Sequence, residues 1–505
     1  MRSRAHRGAP RLHSPLALLL LGTGLALAAP AAARQAASQA AAEPASQGAQ
    51  GAAAQGFGGF FTDRTMRVDY FHTGGMGEEI ISLDRVVADG PWAGSRTQLL
   101  DDTNLGPYLF EVIDPATNRV IYSRGFASIF GEWETTAEAA RVHRTFHESL
   151  RFPWPMESVQ VVLKKREGDQ AFHEVWSTTV DPNSRFVNSA DLRSVGSVWT
   201  IFENGPPDRK VDLVLIGEGY TAEEMEKFHA DARRLVDRLF QTEPFRSRKA
   251  DFNVRAIDLP SATSGVNRPH VGEFRRTPVS AEYNIFDSER YLLTYDNRML
   301  RDVLSAVPYE FVEILVNEKQ YGGGGIFNFQ ATTAVDTEFA DYVFVHEFGH
   351  HFAGLGDEYY TSPVAYERDH AEHPEPWEPN ITALRDPAKL KWRALVQPGT
   401  PLPTPWDKEA YEEHARGIGA RRQALIESAA PESEFDALFR EQKEIERELL
   451  GAMRYAVLVG AFEGAMYEAQ GLYRPQIDCI MFTRSDSFCL VCGRAIERII
   501  DLYSA

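Results

Sequence analysis

Cysteine, excess positive charge and long apolar runs are all scarce in this chain of 505 residues. Three cysteines are too few for a disulfide framework, so a hydrophobic core must stabilise the fold. Lysine and arginine number 53 against 72 aspartates and glutamates, a net charge of −19, which argues against binding to nucleic acid. Beyond residue 33 no stretch reaches the ~18 uninterrupted apolar residues of a membrane span. We therefore expect an acidic, soluble protein of several domains.

The first 33 residues have the organisation of a secretory signal peptide. Four arginines precede an apolar stretch over residues 16–29, and residues 31–33 fit an A-x-A cleavage site. An uncleaved membrane anchor is the alternative interpretation. Residues 34–58 are rich in Ala, Gln, Ser and Gly without periodicity, which predicts a disordered linker. We expect an exported protein, periplasmic or secreted, with no membrane span after the signal is cleaved.

Residues 59–185 are predicted to form an N-terminal β-sandwich domain. Short β-branched runs, such as those at 159–163 and 175–180, alternate with Gly, Pro and Asp punctuation. We find no catalytic constellation in this region. Binding of carbohydrate or protein by this domain stays open.

Residues 190–505 are predicted to form one large catalytic domain. The apolar run at 211–216 predicts a buried strand, and Thr221 with Glu224 forms a capping box before a helix. Four glycines at 322–325 indicate either close approach of a backbone beside an edge strand or a flexible loop. Residues 408–450 are charged and helical in composition, and we interpret them as a helical insertion near the site.

The segment that carries chemistry is H-E-F-G-H at residues 346–350. On a helix, residues i and i+4 share one face, so His346 and His350 can both reach one Zn²⁺ at ~2.0–2.1 Å. Glu347 lies between them, placed to take a proton from water. The alternative is chance, because the pattern fixes only three positions. It would then be a structural helix with two surface histidines.

A third metal ligand is expected shortly after the second histidine, because a catalytic zinc takes three protein ligands and keeps one open position. Gly354 and Gly356 can end the helix and turn the chain, so that Asp357 or Glu358 reaches back. The metzincin pattern has its glycine three residues, and its third ligand six residues, after the second histidine. The turn here is one residue longer. We favour Asp357, and Glu358 stays open.

The segment H-E-F-G-H-H-F-A-G-L-G-D-E-Y resembles the active-site helix and turn of the secreted bacterial zinc metallopeptidases grouped as IgA peptidase-like. Residues 122–133 and 146–155 resemble the β domain that precedes the catalytic domain in that family. Residues 457–465, 471–475 and 479–481 resemble its C-terminal part. The resemblance thus covers nearly the whole mature chain.

This resemblance implies an α+β fold, with an N-terminal β-sandwich followed by a metzincin-like α/β zinc peptidase domain. It implies a zinc-dependent endopeptidase that acts on protein or peptide substrates and holds one catalytic Zn²⁺. The residues that match the family are His346, His350 and Asp357 as zinc ligands, Glu347 as the catalytic base and Met481 in a methionine turn. Met481 can equally be an ordinary core residue. Tyr359 or Tyr360 is a further candidate, as a hydrogen-bond donor to the oxyanion.

All three cysteines lie near the C-terminus. Cys489 and Cys492 form a C-x-x-C pair, which serves zinc or redox chemistry. A structural zinc site needs four ligands, and with Cys479 only three cysteines are near. In an exported protein we therefore expect one disulfide and one leftover thiol.

Two other functions compete with the endopeptidase. One is a surface or periplasmic binding protein or adhesin with a degenerate peptidase domain, which would lack a ligand or the glutamate. The other is a zinc amidase acting on cell-wall peptides. The family's name does not make IgA the substrate, and nothing in the sequence sets an oligomeric state.

Overall fold

The structure is a computed structural model that describes residues 56–168, 170–192, 195–361 and 373–504. The predicted signal peptide, and the predicted linker up to residue 55, lie outside the described residues. At the end of that linker, Phe57–Gly59 form a short 3₁₀ turn in which Phe57 is buried. Among the described residues none of the helices combines the length and apolar character needed to cross a lipid bilayer.

The first part of the described chain contains eight strands in two four-stranded sheets. These strands are β1 (Phe61–Gly75), β2 (Glu78–Pro91), β3 (Tyr108–Asp114), β4 (Arg119–Phe126), β5 (Arg144–Pro155), β6 (Val159–Arg166), β7 (Phe172–Val180) and β8 (Val187–Asn188). One sheet has the order β5-β1-β2-β8 and the other β4-β3-β6-β7, with every pair antiparallel except β2 with β8. Both sheets contribute to one buried hydrophobic cluster, which includes Val68, Phe110 and Phe152.

The second part is built on a six-stranded mixed sheet. The strands of this second part of the chain are β9 (Ser197–Phe202), β10 (Val211–Glu218), β11 (Phe252–Asp258), β12 (Ala281–Glu282), β13 (Leu293–Thr294), β14 (Phe311–Val316), β15 (Gly323–Ile326), β16 (Gln330–Ala334), β17 (Phe462–Ala465) and β18 (Glu468–Arg474), and six of them form the sheet. The sheet has the order β15-β16-β14-β10-β11-β9, with a parallel centre and antiparallel edge strands. Every residue of β10 is buried, as expected of a parallel strand covered on both faces.

Seven α-helices are found in the described residues: α1 (Ile129–Trp133), α2 (Met225–Leu239), α3 (Asn297–Leu304), α4 (Ala340–Ala353), α5 (Lys408–Glu427), α6 (Glu432–Gly451) and α7 (Leu490–Tyr503). The predicted capping box at Thr221 and Glu224 is present and begins the turn that leads into α2. Helix α4 packs on the six-stranded sheet, where Phe352 meets Phe311 with ring centroids 4.6 Å apart. This packing fixes the helix that carries the H-E-F-G-H segment.

The four glycines lie in and just before β15, the edge strand that runs along α4. A Cβ on Gly325 would overlap the Glu347 carbonyl oxygen and lie 3.0 Å from His350 Cβ. On Gly323 it would lie 3.0 Å from Glu347 Cγ. Close backbone approach is therefore the correct interpretation of the glycines, and the flexible loop is wrong.

Charged side chains join the two parts of the described chain. Arg67, which is fully buried in β1, pairs with Asp69, Asp89 and, across the junction, with Asp302 of α3. Arg85 also binds Asp302, at 2.6 Å. The main chain crosses the junction too, where the Ala127 N–H donates to the Phe327 carbonyl at 2.9 Å. Ala127 lies two residues before α1, whose Gly131 and Glu132 line the cleft described next.

Candidate active site

Helix α4 brings the two predicted histidines together with Asp357. His346 Nε2 and His350 Nε2 lie 3.1 Å apart, and Asp357 Oδ1 lies 3.1 Å from the first and 3.2 Å from the second. Ligands bound tetrahedrally at ~2.0–2.1 Å lie about 3.3 Å from one another, so the spacing suits one ion. The donor set, two imidazoles and a carboxylate, is one that catalytic zinc uses. These residues therefore fit the metal that the sequence resemblance implies.

The turn after α4 carries Asp357 back to the histidines. Gly354 ends the helix with φ 60°, a left-handed conformation that favours glycine, and its N–H donates to the His350 carbonyl at 3.0 Å. The Asn380 side chain then brackets Gly356, accepting from its N–H at 2.8 Å and donating to its carbonyl at 2.9 Å. A turn one residue longer than the metzincin pattern is thus fixed by hydrogen bonds at both glycines.

Backbone carbonyls orient both imidazoles. His346 Nδ1 lies 3.0 Å from the Ile480 carbonyl oxygen, and His350 Nδ1 lies 2.5 Å from that of Leu355. A carbonyl only accepts, so each Nδ1 carries the proton. Each Nε2 keeps its lone pair for a metal.

Glu347 lies beside this cluster, and its carboxylate is within 4.8 Å of the ligand atoms of His346 and His350. Burial raises the pKa of Glu347, while the two histidines act to lower it. Asp357 differs, because His350 and His346 outweigh its burial and hold its pKa well below the usual range. The site therefore pairs an ionised carboxylate with a second carboxyl that more readily takes a proton.

Two polar residues of the site belong to no recognisable sequence motif. The Tyr467 hydroxyl donates a hydrogen bond to Asp357 Oδ2 across 110 residues of chain. Glu313 of β14 is fully buried, and neither carboxyl oxygen has a hydrogen-bond partner among the described residues. Burial and then the charge of Glu347 raise the pKa of Glu313 well above its usual value. In the sequence, Glu313 is a lone glutamate in an otherwise apolar strand, which could have indicated a functional role. The sequence around Tyr467 gives no such indication.

The remaining predicted residues have different surroundings. The ring of Tyr359 is nearly parallel to that of His346, with centroids 6.2 Å apart, and lines the cleft. Tyr360 packs instead against Trp406 and Tyr411. Met481 is fully buried, and a Cβ on Gly349 would lie 3.1 Å from its sulfur, so it lies beneath the turn of α4 between the histidines.

Glu358 points away from the histidines. It lies in a buried group with Cys479, Cys489 and Cys492, all three of which are free thiols. The Cys479 and Cys492 sulfurs are 3.8 Å apart, far beyond the ~2.05 Å of a disulfide bond. The expected disulfide is therefore wrong, because the fold brings the three sulfurs around a carboxylate rather than into a bonded pair.

The histidines open onto a cleft of about 830 Å³. Several regions of the described chain build it, among them the N-terminal part, the six-stranded sheet with α4, and the helices α5 and α6. Residues that line it from these regions include Ser128 and Glu132, Gly324 and Glu347, and Arg422 and Gln442. A cleft of this size accommodates several residues of an extended peptide.

Two imidazoles and two carboxylates at the floor of such a cleft are typical of metal-dependent hydrolases. Matches to protein-family models identify the kind of hydrolase. The model described as IgA Peptidase M64 matches residues 200–500, and that described as Peptidase M64 N-terminus matches residues 56–177. The chain belongs to this family of peptidases, which confirms the resemblance seen in the sequence. A search of the curated proteins found no match.

Proposed function

We propose that this protein is an exported, zinc-dependent endopeptidase with Glu347 as its general base. The observation that carries the proposal is the convergence of His346, His350 and Asp357 within 3.2 Å of one another, beside Glu347. Membership of a peptidase family supports the reaction class. A degenerate binding protein would lack one of these four side chains, and none is missing.

His346, His350 and Asp357 would hold the Zn²⁺, and the bound ion would polarise the scissile carbonyl and lower the pKa of water. Glu347 accepts the proton of the attacking water and delivers it to the leaving amine. Tyr467 keeps Asp357 oriented through its hydrogen bond. The hydroxyl of Tyr359, at the cleft wall beside His346, lies 3.4 Å from that of Tyr467. Tyr359 donates in this contact, because the Tyr467 proton goes to Asp357. To donate to the oxyanion, Tyr359 would have to leave that contact.

The edge strand β15 supports an extended peptide as the substrate. It lines the cleft in contact with Glu347. Its edge is occupied at Gly323, whose N–H donates to the Arg290 carbonyl and whose carbonyl accepts from the Leu292 N–H. A peptide added to the strand would therefore pair beside Gly325 and pass the general base. Extended peptides commonly bind by adding a strand to the edge of a sheet, with main-chain hydrogen bonds supplying affinity. Recognition through the main chain suits an endopeptidase.

The architecture that we propose consists of two domains. Residues 59–185 form a β-sandwich domain, supported by the hydrophobic cluster that their two sheets share. Residues 190–505 form a metzincin-like catalytic domain, supported by the position of Met481 beneath α4. The pair α5 and α6 is the helical insertion of this domain, and it contributes one wall of the cleft.

The test measures metal content and cleavage of an unbiased peptide library by wild type, Glu347→Gln and Glu223→Gln. Glu223 is an exposed glutamate before α2 and serves as the matched control. We expect a chelator to abolish wild-type cleavage. Glu347→Gln should keep its zinc and lose activity by at least ~10²–10⁴-fold, the usual contribution of a general base. Cleavage that survives chelation, or full activity of Glu347→Gln, would contradict the proposal, and cleavage confined to cell-wall peptides would favour the amidase.

A further inference from the structure

Four buried side chains of metal-binding chemistry converge at a second place, separate from the histidines. Glu358, Cys479, Cys489 and Cys492 are each at most 6% exposed, and one ligand atom of each lies within 4.8 Å of those of the others. They come from three segments: the turn after α4, the chain before α7, and the start of α7. This group differs from a cluster of acidic residues on the surface, because it is buried and combines three sulfurs with one carboxylate.

The distances between these atoms suit a tetrahedral zinc site. Bonds of ~2.3 Å to sulfur place two thiolates about 3.8 Å apart, and a ~2.0 Å bond to a carboxylate places oxygen about 3.5 Å from each sulfur. Cys479 Sγ and Cys492 Sγ are 3.8 Å apart. Glu358 Oε1 lies 3.2 Å from Cys492 Sγ and 4.0 Å from Cys489 Sγ. The fourth ligand that the three cysteines lack is therefore supplied by Glu358.

Glu358 also has an unpartnered atom. Its Oε1 accepts from Asn380 Nδ2 at 3.0 Å, but its fully buried Oε2 has no hydrogen-bond partner in the part of the chain that the structure describes. Burying a carboxylate without a partner is costly, and a bound cation removes that cost.

The backbone around the cysteines favours thiolates. The Cys489 N–H points to Cys479 Sγ at 3.2 Å, and the Cys492 N–H points to Cys489 Sγ at 3.4 Å. Cys489 is the N-cap of α7, where the helix dipole stabilises negative charge. Hydrogen bonds of this kind to metal-bound sulfur orient ligands and tune their basicity.

From these observations we propose that Glu358, Cys479, Cys489 and Cys492 bind a second Zn²⁺, a structural ion with no open coordination position. Four protein ligands close a structural site, whereas a catalytic zinc keeps one position free. Zinc-bound thiolates do not pair as disulfides, which explains free cysteines in an exported protein.

The second ion would brace the catalytic cluster, a role that rests on the proposed function although the binding itself does not. Glu358 follows Asp357 directly in the chain. Cys479 precedes Ile480, whose carbonyl oxygen orients His346. The Glu358 N–H in turn donates to the Met481 carbonyl at 2.8 Å. Glu358 is thus adjacent in sequence to the catalytic ligand Asp357, and Cys479 is adjacent to the residue whose carbonyl orients His346.

Zinc per chain, measured by mass spectrometry of the purified protein, tests the proposal. We expect about two ions in wild type. Cys492→Ser and Glu358→Gln should each lose one ion, as should His350→Ala, and the double variant His350→Ala/Cys492→Ser should lose both. Glu446→Gln, a substitution at another buried glutamate, should keep two. If Cys492→Ser loses one ion and His350→Ala loses none, this proposal stands and the proposed function fails; the reverse result contradicts this proposal alone.

Two measurements on the wild type avoid reliance on variants that fail to fold. Denatured wild type should show three titratable thiols, and Co²⁺ exchanged into the protein should give thiolate-to-cobalt charge-transfer absorption, which a site of imidazoles and carboxylate lacks. One thiol with one ion per chain would mean a disulfide and would overturn the proposal. Three thiols without charge-transfer absorption would overturn it as well.

Discussion

At the scale of single residues, Tyr467 is the polar contact to Asp357 that we expect to matter most. Because its hydroxyl fixes the carboxylate, Tyr467→Phe should weaken zinc binding or lower kcat/KM by about 10–100-fold without unfolding the protein. Zinc competition with a chelator and peptide cleavage measure the two effects. Tyr455→Phe, at a partly exposed tyrosine, is the control. Unchanged affinity and unchanged cleavage in Tyr467→Phe would contradict the role.

Local spacing decided how much of the site could be predicted from the sequence. His346, Glu347 and His350 occupy one turn of a helix, so their geometry follows from the chain itself. The choice between Asp357 and Glu358 as the third ligand could not be made from the sequence, because it depends on cysteines more than 100 residues further along the chain. Tyr467 was missed for the same reason, since only the tertiary fold brings it to Asp357.

At the scale of elements, the contact of β15 with α4 leaves no room for an added methyl group beside the general base. Gly325→Ala would place a Cβ against the Glu347 carbonyl, so the strand and the helix must separate. We expect a loss of ~1–3 kcal/mol in the free energy of unfolding and a fall of at least about 10-fold in kcat/KM. Urea unfolding and peptide cleavage measure these effects.

The control for that substitution is Gly417→Ala in α5. A Cβ there meets nothing within 4 Å among the described atoms, and alanine is the better helix former. Gly417→Ala should therefore raise stability by up to ~1 kcal/mol and leave cleavage unchanged. Equal effects of the two substitutions would contradict the close-approach argument.

On the side of the cleft formed by α5, three arginines lie close enough for their charges to act on one another. Arg422 of α5 lines the cleft with Arg290 and Arg484, and burial followed by these two charges lowers the pKa of Arg422. Its Nε has no hydrogen-bond partner in the described part of the chain. We therefore expect peptides with a carboxylate side chain to be preferred.

Arg422→Gln should reduce kcat/KM for acidic peptides by about 10-fold, the value of one charged hydrogen bond, and leave their amide counterparts unaffected. Arg421→Gln is the matched control, because Arg421 is exposed and pairs with Glu441 at 2.7 Å. The measurement is cleavage of paired Glu and Gln peptides. Equal losses on both peptides would indicate a structural effect rather than recognition.

Elements with a strong local signal were predictable. The apolar run of β10 and the capping box before α2 are local features, and the structure confirms them. The glycine segment allowed two interpretations, because glycine tolerates both a loop and a crowded strand. Only the position of α4 decides between them.

At the scale of the whole molecule, the buried ionic contacts make stability depend on pH. His72 of β1 lies 3.0 Å from Glu148 and 2.8 Å from Glu79, and its ring stacks on Phe130 of α1. Burial acts to lower the pKa of His72, but Glu148 and Glu79 raise it to about 9. Other groups that face these carboxylates are the hydroxyls of Tyr70 and Tyr108 and the ammonium of Lys165.

Because the pKa of His72 is higher in the folded state than the ~6.5 of an unfolded chain, its contribution is full below about pH 6.5. It is lost as the pH rises through about 9. We expect wild type to lose about 3 kcal/mol more than His72→Gln between pH 6 and pH 10. Urea unfolding across this range measures the difference. The exposed His143→Gln should follow wild type, and identical pH profiles for all three would contradict the prediction.

The neighbours Asp357 and Glu358 point to opposite sides of one short segment, and this alternation constrains how the protein can vary. Removing one residue between Gly354 and Asp357 would move Glu358 into the place of Asp357 and Tyr359 into the place of Glu358. The histidines would then face a carboxylate on a longer side chain, and the three sulfurs would lose their carboxylate. The length of this segment is therefore set by two groups of side chains at once, and we expect an insertion or deletion here to disturb both groups together.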